Sequence, residues 1–337
     1  MATKQVTVKD IAKRLRLHYT TVSKALRDHP DISPATKQRV VSLAEELDYH
    51  PNSIAKSLKN QATSTLGVIV PSIRNDFFSA VISGIEEVAY GREFNTVVCQ
   101  SNESSEREAI HLNTLISTRV AGVLVSVAQT TTSGARFRAL QRQGIPLVFF
   151  DRVCADVEAG KVVVDDFAGA RKAAQYLIDA GYRRIAHAAG RGNTSVGQER
   201  CRGYVSALEQ NGIAVERDLM TYGGLEEEDG IAACRKLLTL DRRPEAIFAV
   251  NDPVALGVYK EVRQHGLEIP ADIALVGFGD NTLSSYLDPP LTTVKQSPYE
   301  IGKVAARMLL RQIEEPTRRM TSEVEVIETE LVLRASA

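Results

Sequence analysis

The chain has 337 residues, 44% hydrophobic and 25% charged, with a net charge of −1. This is the composition of an ordinary globular protein, long enough for two or three units. Its longest apolar runs, such as Ile145–Phe150, fall far short of the ~20 residues of a membrane span, which excludes a spanning segment. The polar start MATKQVTVKD has no apolar signal region, so the expected location is cytoplasmic. The four cysteines, Cys99, Cys154, Cys201 and Cys234, form no C-x-x-C pair and suit a reducing compartment. None of the six histidines has metal-ligand spacing, and no metal or cofactor is expected.

Net charge alone gives no hint of a nucleic-acid partner, but its distribution does. Residues 1–60 carry eleven Lys and Arg against six Asp and Glu, an excess of five positive charges. The remainder holds 30 cations against 36 carboxylates. A basic head on an acidic body is the asymmetry of a small domain that meets phosphate.

In chain order, Thr7 and Asp10 match a capping box that opens a helix. Val8, Ile11, Ala12 and Leu15 then recur at helical spacing. After a break at 16–19, Val22, Ala25 and Leu26 mark a second short helix. Ser33-Pro34 opens a third, with Val40, Leu43, Ala44 and Leu47 as its stripe. Three short helices with a tight turn between the first two describe a helix-turn-helix, whose second helix lies in the DNA major groove. Tyr19, Thr20, Thr21, Ser23 and Lys24 point away from its apolar face and suit base edges and phosphates. Asn52 then caps a segment, with Leu58 between Lys56 and Lys59, too short to be a stable helix alone. It is either a plain linker or a helix that folds when minor-groove DNA holds its leucine wedge.

From Leu66 the chain alternates strands and helices. Strands are expected at Leu66–Val70, Thr96–Cys99, Gly122–Val127, Leu147–Phe150, Arg184–Ala188, Ala246–Val250 and Ile273–Gly277. Helices are expected at Phe78–Gly91, Arg107–Arg119, Phe167–Ala180 and Pro253–His265. Such alternation implies parallel sheets covered by helices, with ligands beyond the carboxyl ends of the strands. Two such lobes fit the length, with the site in the cleft between them. The candidate cleft residues follow strand ends. Phe77 and Phe78 suit stacking on a flat or sugar-like ring. Asp151, Asp165, Arg200, Asn251 and Asp280 supply a hydrogen-bonding cage for a polar ligand. Asp252 suits a helix cap. Gly190-Arg191-Gly192-Asn193 hints at a nucleotide loop, but Ser195 stands where a third glycine belongs, so an enzyme of the dinucleotide-binding type is disfavoured.

The runs Thr7–Asp28, Ser33–Leu47 and Tyr49–Lys59 resemble the head and hinge of the lactose/galactose/purine repressor family. The likeness continues in family order through Pro71–Phe78, Thr118–Val125, Phe149–Arg152, Val162–Ala186, Asn251–Asp280 and Pro289–Gln296. It implies a helix-turn-helix domain at 1–50, a hinge at 51–61 and an effector-binding and dimerisation domain at 62–337. This body is expected to have the α/β periplasmic-binding-protein-like fold. One Rossmann-like lobe covers about 62–161 and 295–322, the other about 164–292 and 325–337. The implied partners are double-stranded operator DNA, a second copy of the chain and a small polar effector, with no membrane and no enzymatic activity. By resemblance Tyr19, Thr20 and Lys24 read bases, Thr21 and Ser23 lie near phosphate, and Leu58 wedges the central operator step. Thr7, Asn52 and Lys56 join them on the DNA side. Phe77, Phe78, Asp151, Arg200, Asn251 and the residue after Phe278 face the effector. The chain departs from the pattern at His18, where a capping Ser or Asn is usual, and at Leu225, often an aromatic. It departs again at Gly279, where an Asp is common and Asp280 comes one step later. With no leucine heptad at the carboxyl end, a dimer is expected.

Overall fold

The computed structural model describes residues 6–49, 63–315 and 322–337. The chain divides into two units, 1–63 and 64–337.

The head is built from α1 (Val8–Leu15), α2 (Tyr19–Ala25) and α3 (Pro34–Glu46). Ile11, Ala12, Val22, Ala25, Val40 and Ala44 form its core, as the helical spacing predicts. The turn after α1 is made by Arg16 in the left-handed region, φ 54°. Ser33 caps α3 by accepting the Thr36 N–H at 3.3 Å.

The body holds two six-stranded sheets. The first runs β11-β5-β4-β3-β1-β2, with β1 Thr65–Val70, β2 Asn95–Gln100, β3 Gly122–Val125, β4 Leu147–Phe150, β5 Gly160–Val164 and β11 Val324–Ile327. All its pairings are parallel. The second runs β12-β10-β9-β8-β6-β7, with β6 Ile185–Ala189, β7 Met220–Tyr222, β8 Ala246–Ala249, β9 Ala274–Gly279, β10 Thr292–Lys295 and β12 Glu330–Val332. Only β12 runs antiparallel, against β10. The central strands β3, β4, β6 and β8 are buried throughout, because helices cover both faces of a parallel sheet.

The covering helices are α4 (Asp76–Tyr90), α5 (Ser105–Ser117), α6 (Ala135–Arg142), α7 (Asp166–Asp179), α8 (Ser195–Gln210), α9 (Glu227–Leu238), α10 (Asp252–Gln264) and α11 (Pro298–Glu314). Their close pairs meet at glycines. A Cβ on Gly84 of α4 would strike the Tyr299 carbonyl of α11, and one on Gly302 would strike that of Val81. Gly230 and Gly257 serve the α9–α10 crossing in the same way.

The chain crosses between lobes after Val164, after Lys295 and after Ile327. The last crossing corrects the expectation that the second lobe resumes at 325. Val324–Ile327 pairs in register with Lys161–Val164, so it completes the first sheet. In both sheets strand order reverses beside the first strand, between β1 and β3 and between β6 and β8. Ligands settle beyond the carboxyl ends of strands at such points.

Candidate functional site

In the head, Tyr19 is 51% exposed and Thr20 is exposed, while Val22 and Ala25 on the other face are buried. The His18 departure resolves as an imidazole cap. Its Nδ1 accepts the Thr20 N–H at 3.4 Å and lies 2.8 Å from Thr20 Oγ1, so the helix begins at Tyr19. The His18 and Tyr19 rings are 4.6 Å apart. Thr21 is half-buried. The Ser23 hydroxyl and carbonyl each accept from Arg27 at 3.0 Å. Lys24 Nζ sits 2.8 Å from Asp31 Oδ2, and this contact holds the Asp31 carboxyl below its usual range. Asp10 accepts the Thr7 N–H at 2.9 Å and its hydroxyl at 2.6 Å, closing the capping box. Asn52, Lys56 and Leu58 lie outside the described residues.

In the body, a cleft opens where carboxyl ends of strands from both sheets converge. Phe77, Phe78, Asp151, Arg200, Leu225 and Asn251 line it, together with Asn75, Arg152, Phe278, Gly279, Asn281 and Gln296. Phe77 and Phe78 meet edge to face, 5.2 Å apart. Asn75 sets their position by capping α4, its Oδ1 accepting the Phe77 N–H at 3.0 Å.

Arg200 is buried at the cleft floor. Its Nε donates to Asp166 Oδ1 at 2.7 Å and its Nη1 to the Val250 carbonyl at 2.6 Å, and its guanidinium lies 3.6 Å from the centre of the Phe278 ring. Burial lifts the Asp166 carboxyl to about 6, against the pull of Arg200. Asp151 follows β4 at φ 58°, which turns its side chain inward. There it accepts the Ser126 hydroxyl at 3.0 Å, and burial raises its pKa. Arg152, beside it, donates to both Glu103 oxygens at 2.8 and 2.9 Å.

Two expected acceptors are elsewhere. Asp165 is exposed and caps α7, its Oδ1 accepting the Ala168 N–H at 2.8 Å, so the neighbouring Asp166 takes the Arg200 contact. Asp280, at φ 58°, turns to Arg334 Nη2 at 2.6 Å. Asn251 lines the cleft, but its amide is engaged: Oδ1 caps α10 through the Val254 N–H and Nδ2 donates to the Leu225 carbonyl, both at 2.9 Å. Asp252, expected as the cap, is instead buried and accepts from Ser284, Thr293 and the Asn281 N–H.

Arg152, Asn281 and Gln296 escaped the sequence reading, although all three follow strand ends; Arg152 and Gln296 lie within motifs quoted for other residues, and Asn281 lies one residue beyond the Asn251–Asp280 run. The 190–193 loop bridges the lobes: Asn193 Nδ2 donates to the Gln129 carbonyl at 2.8 Å, and beside it the Val153 N–H reaches Ser195 Oγ at 3.3 Å. Among the described residues no cluster of His, Cys, Asp and Glu is arranged to hold a metal, and no helix is long and apolar enough to cross a membrane.

Residues 7–52 match the model of bacterial regulatory proteins of the lacI family, and residues 174–337 match a periplasmic binding protein-like domain. The chain is 33% identical over 332 residues to the ribose operon repressor of Haemophilus influenzae, covering 98% of each chain. A lac repressor dimer bound to operator and an anti-inducer superposes with a TM-score of 0.87 at 25% identity, over 99% of both chains. A complex of the regulator CelR with cellobiose gives 0.76 at 28% identity, over 99% of this chain and 100% of that one. A helix-turn-helix head, two parallel-sheet lobes around a polar cleft and a likeness along nearly the whole length agree: this chain belongs to the lacI family of bacterial regulatory proteins.

Proposed function

We propose that this protein is a cytoplasmic transcriptional repressor, and not an enzyme, that binds a palindromic operator as a homodimer and answers to a small polar effector held in the body's cleft. One observation carries the reading. A single chain joins a basic helix-turn-helix, with Tyr19 and Thr20 turned outward, to a two-lobed body whose cleft gathers aromatic rings and polar groups from both sheets. A homodimer places two heads in successive major grooves, ~34–36 Å apart. A sugar or sugar derivative is the favoured effector, since relatives and similar structures are named for ribose and cellobiose. Effector binding shifts the lobes and so the affinity for DNA, a coupling of about 1–3 kcal/mol.

The test is selection of duplexes from a random library by the full-length protein, repeated with candidate metabolites present. Enrichment of an inverted repeat whose occupancy responds to one metabolite is the expected result. Absence of any duplex preference under all conditions would discard the reading. Within the selected site, Lys24→Ala is expected to change base preference at one symmetric position, and Leu58→Ala to lose specific but not nonspecific affinity.

A further inference from the structure

Gly279 ends β9 at φ 149°, Asp280 turns away to Arg334, and Asn281 comes back to line the cleft. Its backbone N–H is fixed on Asp252 Oδ2 at 2.9 Å. A Cβ added to Gly279 would stand 3.3 Å from Asn281 Oδ1, so this amide fills the space that a side chain at 279 would take. Among the described residues the Asn281 amide has no hydrogen-bond partner, which leaves both its donor and its acceptor for a ligand. Gln296 lies on the other side of Gly279. It follows Lys295, the register partner of Gly279, and its N–H reaches the Gly279 carbonyl at 3.4 Å. Gln296 is 94% buried, lines the same cleft, and its Nε2 has no partner. A buried amide N–H left unpaired is costly unless something arrives to accept it.

The charges around this pair are matched. Arg152 is held by Glu103 and Arg200 by Asp166. Directly behind Asn281, the carboxyl of Asp252 accepts three hydrogen bonds from the protein. An anionic group on the amide pair would face that carboxyl and find no unmatched cation among these groups. A hydroxyl or a carbonyl meets no such penalty, and a hydroxyl both gives and takes a hydrogen bond.

We propose that Asn281 and Gln296 form the specificity-determining amide pair of the cleft, and that they select an uncharged ligand, excluding phosphorylated and carboxylated metabolites. This rests on the reading of the cleft as an effector site. The experiment is thermal shift of the full-length protein with D-ribose, cellobiose and adenosine as neutral probes, and with ribose 5-phosphate, D-gluconate and D-glucuronate as anionic ones. Asn281→Ala and Gln296→Leu variants are run in parallel. Stabilisation by a neutral probe is expected, with its Kd raised at least about tenfold by either substitution. The ligand-free melting temperature should stay unchanged in Asn281→Ala, and unchanged or higher in Gln296→Leu, because the latter removes an unpaired buried amide. Stabilisation by an anionic probe alone overturns the inference but keeps the cleft as an effector site. So does a neutral probe that binds both variants as well as it binds the parent. If none of the six probes stabilises the parent, the cleft reading falls, and the inference with it.

Discussion

Side chains placed a single position apart do different work in this protein. Asp165 caps a helix in solvent while Asp166 is buried against Arg200, and Asp280 leaves the cleft while Asn281 enters it. His187 shows what burial alone does. It lies in β6 with its ring stacked 4.8 Å from Phe248, and burial drives its imidazole down to about 4. A base whose folded pKa is depressed adds stability above its unfolded value near 6.5 and loses it as pH falls toward 4, here about 3 kcal/mol across the window. Asp166 acts in the opposite sense: its folded pKa is raised, so its contribution is complete below 3.8 and is lost as pH rises toward 6. His187→Phe should therefore lessen the loss of stability between about pH 6.5 and 4, and leave more visible the fall that Asp166 contributes as pH rises toward 6. Urea unfolding at half-unit pH intervals measures this, and a profile unchanged from the parent would show that burial does not depress the His187 imidazole.

Helices here are specified at their ends and at their crossings. Caps were legible: Thr7 with Asp10, and Ser33-Pro34, start their helices where the residue chemistry places them. At His18 the tertiary arrangement supplied an unusual cap that residue preferences do not favour. Crossings were not legible, because a glycine in a helical stretch reads only as a weak point until its partner is known. Gly302 is one of these. Its Cβ position is occupied by the Val81 carbonyl, so Gly302→Ala forces α4 and α11 apart and should cost about 1–3 kcal/mol. Gly192→Ala is the matched control, since nothing stands within 4 Å of its added Cβ. Equal urea midpoints for the two variants would refute the close-packing account.

At the scale of the molecule, the head and the body carry separate cores, so each should act alone. A chain of residues 64–337 is expected to bind the effector with the affinity of the parent and to have no affinity for the operator. Isothermal titration and a duplex shift assay check both halves, and loss of effector binding would show that the cleft depends on the head. Within the body, Asn193→Ala removes a bond that joins the lobes across the cleft. It should raise the effector Kd about three- to tenfold without altering duplex choice, because an open cleft lowers the fraction of molecules ready to bind.

The sequence by itself determined the three-helix head, the alternation of strand and helix, and five of the cleft residues, because periodicity and strand ends are local properties; Leu225 came only from the family likeness. It did not reveal β5, β7, β10 or β11, or the helices at 135–142, 227–238 and 298–314. The terminal Glu330–Ala337 run read as strand-like, and β12 begins it. The short β11 has four residues, of which only Ile327 is half-buried, so too little burial marks it in the sequence and its pairing with β5 makes it a strand. Which polar side chains enter the cleft was decided by the tertiary structure. Backbone turns at Asp151 and Asp280 aim one carboxylate in and the other out, and the partners that hold them, Ser126 and Arg334, come from distant parts of the chain.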